Sequence, residues 1–288
     1  MAIKTLFELV KNRGVGGTLR YATLRWLGLR DIQEEVDTLH YFLNKYVDIT
    51  QTPPTDDPDL RILQRCDVEL LDIIDALCKK YQLRYWLDFG TLLGAVRHQG
   101  FIPWDDDMDI AMTREDYETF LRVARNDLDK LGLEIRPCVS WVGIGYKHDS
   151  TGVWVDIFPY DTCEVGSDYE SGRLRAKNSV KRTGSVPKGW GGIQMQYLTN
   201  KDTTIFRTHK TDDVFPLASV TFEGGSYPAP NHSDQFLKDL YGATYMDFPH
   251  KGILHHGNDG GSISSWARSH GVDMNAIYTE LQMLKGRF

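Results

Sequence analysis

Apolar positions from Leu60 onward recur at helical spacing: Leu60, Leu63, Leu70, Leu71, Ile74, Leu77 and Cys78 form one stripe. Asp57 followed by Pro58 supplies the start, an acid at the cap and proline at the first helical position. The pattern predicts a helix to about Lys80. Tyr85–Phe89 then reads as a short strand, Gly90-Thr91 as a turn, and Leu92–Val96 as a short helical piece. A loop over 100–104 leads to a second predicted strand, Met108–Met112. Thr113 and Asp116 have capping-box spacing and open a helix to about Leu131. Val153–Phe158 reads as a third strand, ended by Pro159. Further on, Val214–Phe222 and the Glu223-Gly-Gly225 turn suggest a hairpin. Ser233 is placed as the cap of a helix through Tyr241-Gly242, and a last helix is expected from Asp273 to Lys285.

The first fifty residues differ in character. Within 1–30 the cations Lys4, Lys11, Arg13, Arg20, Arg25 and Arg30 face only one acid, Glu8, and alternate with Leu, Phe, Tyr and Trp. Such an arm can lie on an anionic membrane surface or pack as a helix on protein. No apolar run is long enough to span a bilayer, and the start lacks the apolar core of a secretory signal. The expected location is cytoplasmic, with peripheral contact at the inner face of the membrane. Residues 51–57 read as a linker. The expected organisation is a basic amphipathic arm (1–50), a catalytic domain (58–250) and a C-terminal extension (251–288).

Composition narrows the chemistry. The 288 residues are 41% apolar and 25% charged, enough to bury a core without staples. Cys66, Cys78, Cys138 and Cys163 are scattered, with no zinc-ligand spacing. A net charge of −7 argues against nucleic acid as a partner.

One segment stands out: Phe101-Ile-Pro-Trp-Asp-Asp-Asp-Met-Asp-Ile110. On a strand, Asp105, Asp107 and Asp109 would share one face. Like charges flanked by Ile102, Trp104 and Ile110 make sense around a hard divalent cation such as Mg²⁺. A solvated acidic turn is the alternative; a calcium loop lacks its required Gly and Glu. Gly90 and Thr91 would offer backbone N–H groups to a phosphate at a helix mouth. Asp156, on the later strand, would add a carboxylate that binds metal or accepts a proton.

These segments resemble the LicD family. The likeness is carried by Tyr85-Trp-Leu-Asp-Phe-Gly-Thr-Leu-Leu-Gly-Ala-Val-Arg-His98, by Gly100–Ile110, and by Asp116-Tyr117 and Val155-Asp-Ile-Phe-Pro159. Phe215-Pro-Leu217, Phe222-Glu-Gly224 and Leu240-Tyr-Gly242 extend it. The resemblance implies an α+β, nucleotidyltransferase-like fold: a mixed β-sheet core flanked by helices, with an N-terminal helical arm and a C-terminal helical and hairpin region. It implies phosphotransfer from a CDP-activated donor, with phosphocholine moved from CDP-choline to a sugar of a lipid-linked glycan or teichoic acid precursor. Ribitol phosphate is the cargo of the animal relatives, fukutin and fukutin-related protein. The metal ligands fall on Asp105, Asp107, Asp109 and Asp156, holding one or two Mg²⁺ or alternatively Mn²⁺; Asp107, Asp109 and Asp156 carry the catalysis. Arg97, His98 and Lys147 are the cations expected near phosphates. Choline needs aromatic faces, for which Tyr85, Trp86 and Trp154 are candidates. Transfer of another CDP-alcohol phosphate, nucleotidyl transfer to a small molecule, and a non-enzymatic scaffold remain the alternatives.

Overall fold

A computed structural model describes residues 30–138, 140–146, 152–164, 191–198, 204–249 and 271–287. Contacts divide the chain into two units, Met1–Ile49 and Thr50–Phe288. In the first unit the described element is helix α1, Arg30–Tyr46. The basic stretch that precedes it, expected as a membrane arm, lies outside the described residues.

The second unit is built on helix α2, Pro58–Tyr81. The Asp57 carboxylate accepts hydrogen bonds from the N–H groups of Asp59 and Leu60, two of the donors that a helix start leaves unpaired. Its apolar stripe is buried, with Leu63, Leu70, Leu71, Ile74 and Leu77 fully covered. The helix ends at Gln82, which adopts a left-handed conformation and closes on the carbonyls of Cys78 and Lys79.

Beyond it run β1 (Trp86–Leu87), helix α3 (Phe89–His98), β2 (Asp109–Thr113) and two short helices, α4 (Arg114–Val123) and α5 (Arg125–Leu131). Strands β3 (Leu133–Pro137), β4 (Val142–Tyr146), β5 (Trp154–Glu164), β6 (Gly191–Leu198) and β7 (Thr204–Lys210) follow. The Thr113–Asp116 box forms as expected: Asp116 N–H donates to Thr113 Oγ1 at 3.2 Å, and that hydroxyl donates to Asp116 Oδ2 at 2.7 Å. Strands β1–β7 make one mixed sheet, in which β2 and β5 run parallel and the other pairs antiparallel. The fold is therefore α+β, with helices on a mixed sheet.

Two expectations are corrected here. Pro159 does not end β5. Asp156 N–H points to β2, donating to Met108 O at 2.8 Å, so residue 159 points its ring nitrogen the other way. On that flank β4 pairs only to Ile157 and β6 begins at Tyr160, so the missing N–H removes no ladder bond. Nor does β2 begin before Asp109: residues 105–108 are loop, and the alternation expected of Asp105 and Asp107 does not apply.

Helix α6 (Thr211–Val214), the hairpin β8 (Ala218–Phe222) and β9 (Gly225–Ala229), helix α7 (Ser233–Tyr241) and helix α8 (Met274–Lys285) complete the unit. The hairpin turns on Glu223 and Gly224, both with positive φ (47° and 80°), as a two-residue turn between twisted strands requires. Ser233 is not the α7 cap; its hydroxyl donates to Pro230 O, and His232 occupies the cap position. Helix α8 packs on α2 and buries Ile277, Leu281 and Leu284 there.

Candidate active site

Asp109 and Asp156 face each other across the parallel β2–β5 pair, as direct register partners. Adjacent strands thus place two carboxylates side by side, an arrangement that is unfavourable without a counter-charge. The Asp109 N–H is fixed by Thr91 Oγ1 at 2.8 Å, and its carbonyl accepts the Asp88 N–H at 3.1 Å.

Asp105 and Asp107 approach from the loop between α3 and β2. Several ties hold that loop. Asp105 N–H donates to Ile102 O at 2.9 Å, closing a turn. Gln64 of α2 donates to Asp105 O at 2.9 Å. Glu223, at the hairpin tip, accepts from Phe101 N–H at 3.2 Å and from both terminal nitrogens of Arg61 at 3.1 and 2.7 Å. Glu223 approaches closely at Gly100: a Cβ there would come 2.6 Å from Glu223 Oε1 and would have to displace the carboxylate. Gly90, in the first turn of α3, gives room likewise, because a Cβ would come 2.7 Å from Asp105 Oδ2. The Asp105 carboxylate therefore lies against the N-terminus of α3, where peptide dipoles favour negative charge.

The electrostatics record the crowding. Burial pushes the Asp105 carboxyl well above the ordinary carboxylate range, and the charge and hydrogen bond of Asp107 and the charge of Asp106 push it the same way. Asp109 is raised by burial first, then by Asp107, Asp156, Asp105 and Asp88. A divalent cation would relieve this mutual repulsion. All four candidate ligands are hard carboxylate oxygens, the donors that Mg²⁺ prefers. Among the described residues, no three acid, His or Cys side chains already converge on one metal position. The donor chemistry fits a divalent ion, and the side chains would have to draw together around it.

Three further residues join the cluster that the sequence did not single out. Asp88 caps α3 through Phe89 N–H at 2.8 Å and accepts from Tyr160 Oη at 2.8 Å, fully buried. Asp67 lies on the buried stripe of α2, four residues after Leu63; burial raises its carboxyl, with Asp107 and Asp106 adding to the effect. A lone acid in an apolar helical stripe was the available signal. Tyr241, at the end of α7, leaves 45% of its surface exposed. Its hydroxyl is nonetheless desolvated and within the field of Asp109, Asp88, Asp105 and Asp107, which together hold the phenol proton well beyond its usual range. It stood in the Leu240-Tyr-Gly242 segment without a role.

The other expected site residues are distributed differently. Arg97 is buried beside the cluster; burial lowers its pKa, while Tyr241 and Asp105 act in the opposite sense. Its Nε donates to His98 Nε2 at 2.9 Å and its Nη1 to Tyr245 O at 3.3 Å. His98 is not a cation: burial and then Arg97 lower its pKa to about 4. Thr91 is buried and its oxygen accepts from Asp109 N–H, so its side chain fixes the start of β2. Lys147 lies outside the described residues.

The three choline candidates do not form a cage. Tyr85 and Trp86 are core residues, and Trp86 packs edge-on against Tyr160 and Phe215. Trp154 already has a cation over its ring, the Arg136 guanidinium at 4.2 Å. A different aromatic row borders the acids: Phe89, next to Asp88, packs on Phe158 at 5.0 Å, and Phe158 on Trp141 at 5.2 Å. Phe89 holds a positive φ of 40°, a strained conformation for a side-chain-bearing residue.

Comparison with known proteins gives the family. The family described as LicD/FKTN/FKRP, nucleotidyltransferase domain, matches residues 82–232, from the approach to β1 to the start of α7. The chain belongs to this family. It is 50% identical over 64 residues to the lipopolysaccharide cholinephosphotransferase LicD of Haemophilus influenzae, covering 22% of this chain and 24% of that protein. It is 26% identical over 254 residues to the human ribitol 5-phosphate transferase FKRP, covering 81% of this chain and 45% of that protein. The mouse FKRP is 32% identical over 173 residues, 58% of this chain and 29% of its own length. The chain thus spans from about a quarter to under half of these relatives. Asp67 and Tyr241 lie outside the family match, and Asp88, Asp105, Asp107, Asp109 and Asp156 lie within it.

Proposed function

We propose that this protein is a metal-dependent phosphotransferase that moves phosphocholine from CDP-choline to a sugar hydroxyl of a lipid-linked glycan or teichoic acid precursor, releasing CMP. The observation that carries the reading is the convergence of four carboxylates, Asp105, Asp107, Asp109 and Asp156, from a loop and two parallel strands, close enough that Asp105, Asp107 and Asp156 all raise the Asp109 carboxyl. Asp105, Asp107, Asp109 and Asp156 would hold Mg²⁺, which when bound supplies charge neutralisation to the donor diphosphate and the departing CMP. The residues themselves do the rest. Asp156, on β5 beside Asp109, accepts the proton of the attacking hydroxyl. Asp107 and Asp109 orient the transferred phosphorus, and the loop tied by Glu223 and Gln64 keeps Asp105 in place. Arg97, a cation within the field of Asp105, offsets negative charge at the edge of the cluster. The 50% identity to the Haemophilus cholinephosphotransferase favours phosphocholine as the cargo.

A second cargo has its own support. The human ribitol 5-phosphate transferase aligns over 81% of this chain, far more than the 22% matched by the bacterial protein. The machinery would be the same and only the alcohol different.

CMP release with Mg²⁺ and a bacterial glycan acceptor distinguishes the readings, with CDP-choline, CDP-ribitol, CDP-glycerol and CTP as donors. Acceptor-dependent CMP from CDP-choline is the expected result. CMP from CDP-ribitol instead would move the cargo; pyrophosphate from CTP would make the protein a nucleotidyltransferase.

A further inference from the structure

Helix α1 carries an uncovered apolar stripe. Ten large hydrophobic side chains are exposed among the described residues, and seven of them fall between Ile32 and Val47. Scattered exposed hydrophobics are ordinary; a run on one helix is not. The polar side of α1 is closed on itself by four-residue pairs, Gln33 to Asp37 at 2.8 Å and Lys45 to Tyr41 at 2.7 Å.

The spacing of the stripe is specific. Ile32, Val36, Leu39, Leu43 and Tyr46 are separated by four, three, four and three residues. That is the a/d spacing of a two-stranded coiled coil, widened at its C-terminal end by the exposed Phe42 and Val47 on the flanks. With Ile32, Leu39 and Tyr46 at d, and Val36 and Leu43 at a, Glu35 and Phe42 fall at g, and His40 and Val47 at e.

We infer that α1 pairs with α1 of a second copy of this chain, in parallel and in register. A g residue then faces the e residue five positions on in the partner helix. Glu35 meets His40 of the second copy, an acid against an imidazole, and Phe42 meets Val47, apolar against apolar. The Phe42 ring is already stacked on Tyr46 at 5.6 Å, which presents a preformed apolar edge. A lipid surface suits this helix poorly: Asp31, Glu34, Glu35 and Asp37 outnumber Arg30 and Lys45, so an anionic bilayer repels it. The seam covers about two and a half heptads, so the dimer is expected to depend on concentration. The inference concerns α1 alone and does not rest on the proposed reaction.

The test is sedimentation velocity on the full chain across a roughly hundredfold range of concentration, with Leu39→Glu and Leu39→Cys beside it. The expected result is a monomer–dimer equilibrium in the wild type and a monomer throughout in Leu39→Glu, whose circular dichroism is unchanged because the side chain is exposed. In a parallel register position 39 faces itself, so Leu39→Cys is expected to give a covalent dimer on mild oxidation, absent from the wild type. A wild type that stays monomeric overturns the inference. So does a dimer that survives Leu39→Glu, because its interface lies elsewhere. Monomers that bind neutral or anionic vesicles through the stripe, with binding lost in Leu39→Glu, would assign the face to lipid and overturn it as well.

Discussion

Two groups of acids in this protein are treated in opposite ways. On one side of α2, Glu69, Asp72 and Asp75 each have a partner. Lys285 reaches Glu69 at 2.8 Å and Asp72 at 2.6 Å; Tyr227 donates to Asp72 at 2.7 Å, and Tyr85 to Asp75 at 2.9 Å. On the other side, Asp67 looks toward Asp106 and Asp107, and Asp105, Asp107, Asp109 and Asp156 look toward one another. One helix thus separates acids that serve the fold from acids that the fold holds at a cost. The second kind persists only where a ligand or proton relieves it.

The comparison is most easily broken at Asp107. Asp107→Asn is expected to reduce CMP release by roughly 1000-fold or more, since it removes an acid in the path of the diphosphate. It should leave the melting temperature unchanged or raise it by about 2 °C, because a repelling charge is lost. Mg²⁺ should raise the melting temperature of the wild type and not of the variant. A variant that keeps its turnover would place Asp107 with the structural acids.

Glu223 is a salt-bridged acid that supports the crowded cluster. Its carboxylate joins Arg61 to the backbone of Phe101, and Phe101 leads into the acid loop. Glu223→Gln keeps the shape and loses the charge. The expected stability loss is about 1–2 kcal/mol by chemical denaturation, because Arg61 is a third exposed and recovers water. The expected catalytic signature is a fall in kcat with KM little changed, since the loop, not the donor site, is loosened. A loss of stability with kcat intact would separate the loop from catalysis.

How much of this was legible follows the range of each signal. The α2 cap, the Thr113–Asp116 box and the β8–β9 turn depend on residues two to four apart, and all three were readable. The acid cluster was readable as a set, but its geometry was not. Asp105 and Asp107 sit on a loop whose shape is imposed by Gln64 and Glu223, 41 and 122 residues from the groups they hold. Pro159 looked like a strand end because the sequence does not tell which flank its nitrogen faces. Asp88, Asp67 and Tyr241 reach the site only through tertiary packing, and Tyr85 and Trp86 leave it for the same reason. Arg97 and His98 read as two cations, and packing them together leaves one.

That last pair gives a pH prediction. His98 has a folded-state pKa of about 4, below its ordinary 6.5, so the folded protein binds the proton less well than the unfolded chain. Its contribution to stability is complete above pH 6.5 and is lost as pH falls from 6.5 toward 4. After discounting for its partial exposure, the loss is roughly 1–2 kcal/mol. His98→Gln keeps an acceptor for Arg97 and cannot be protonated. Between pH 6.5 and 4 its stability should therefore fall less than that of the wild type, measured by urea denaturation at each pH. Parallel curves for the two proteins would mean that acid sensitivity resides elsewhere.

The smallest effect belongs to the paired acids themselves. Lys285 bridges Glu69 and Asp72 from the end of α8, and its own side chain is 44% exposed. Solvent screens such a bridge, and the acids retain other donors: Tyr227 for Asp72 and Gln282 for Glu69 at 3.2 Å. Lys285→Met keeps the aliphatic stem on the surface of α2 and removes only the charge. The expected cost is below about 1 kcal/mol, with CMP release unchanged. An acid with spare partners loses one at little cost, whereas in the opposite cluster each carboxylate removed should relieve its neighbours. If Lys285→Met destabilised the protein more than Glu223→Gln, the salt-bridged acids would be balanced as finely as the crowded ones, and the division drawn along α2 would fail.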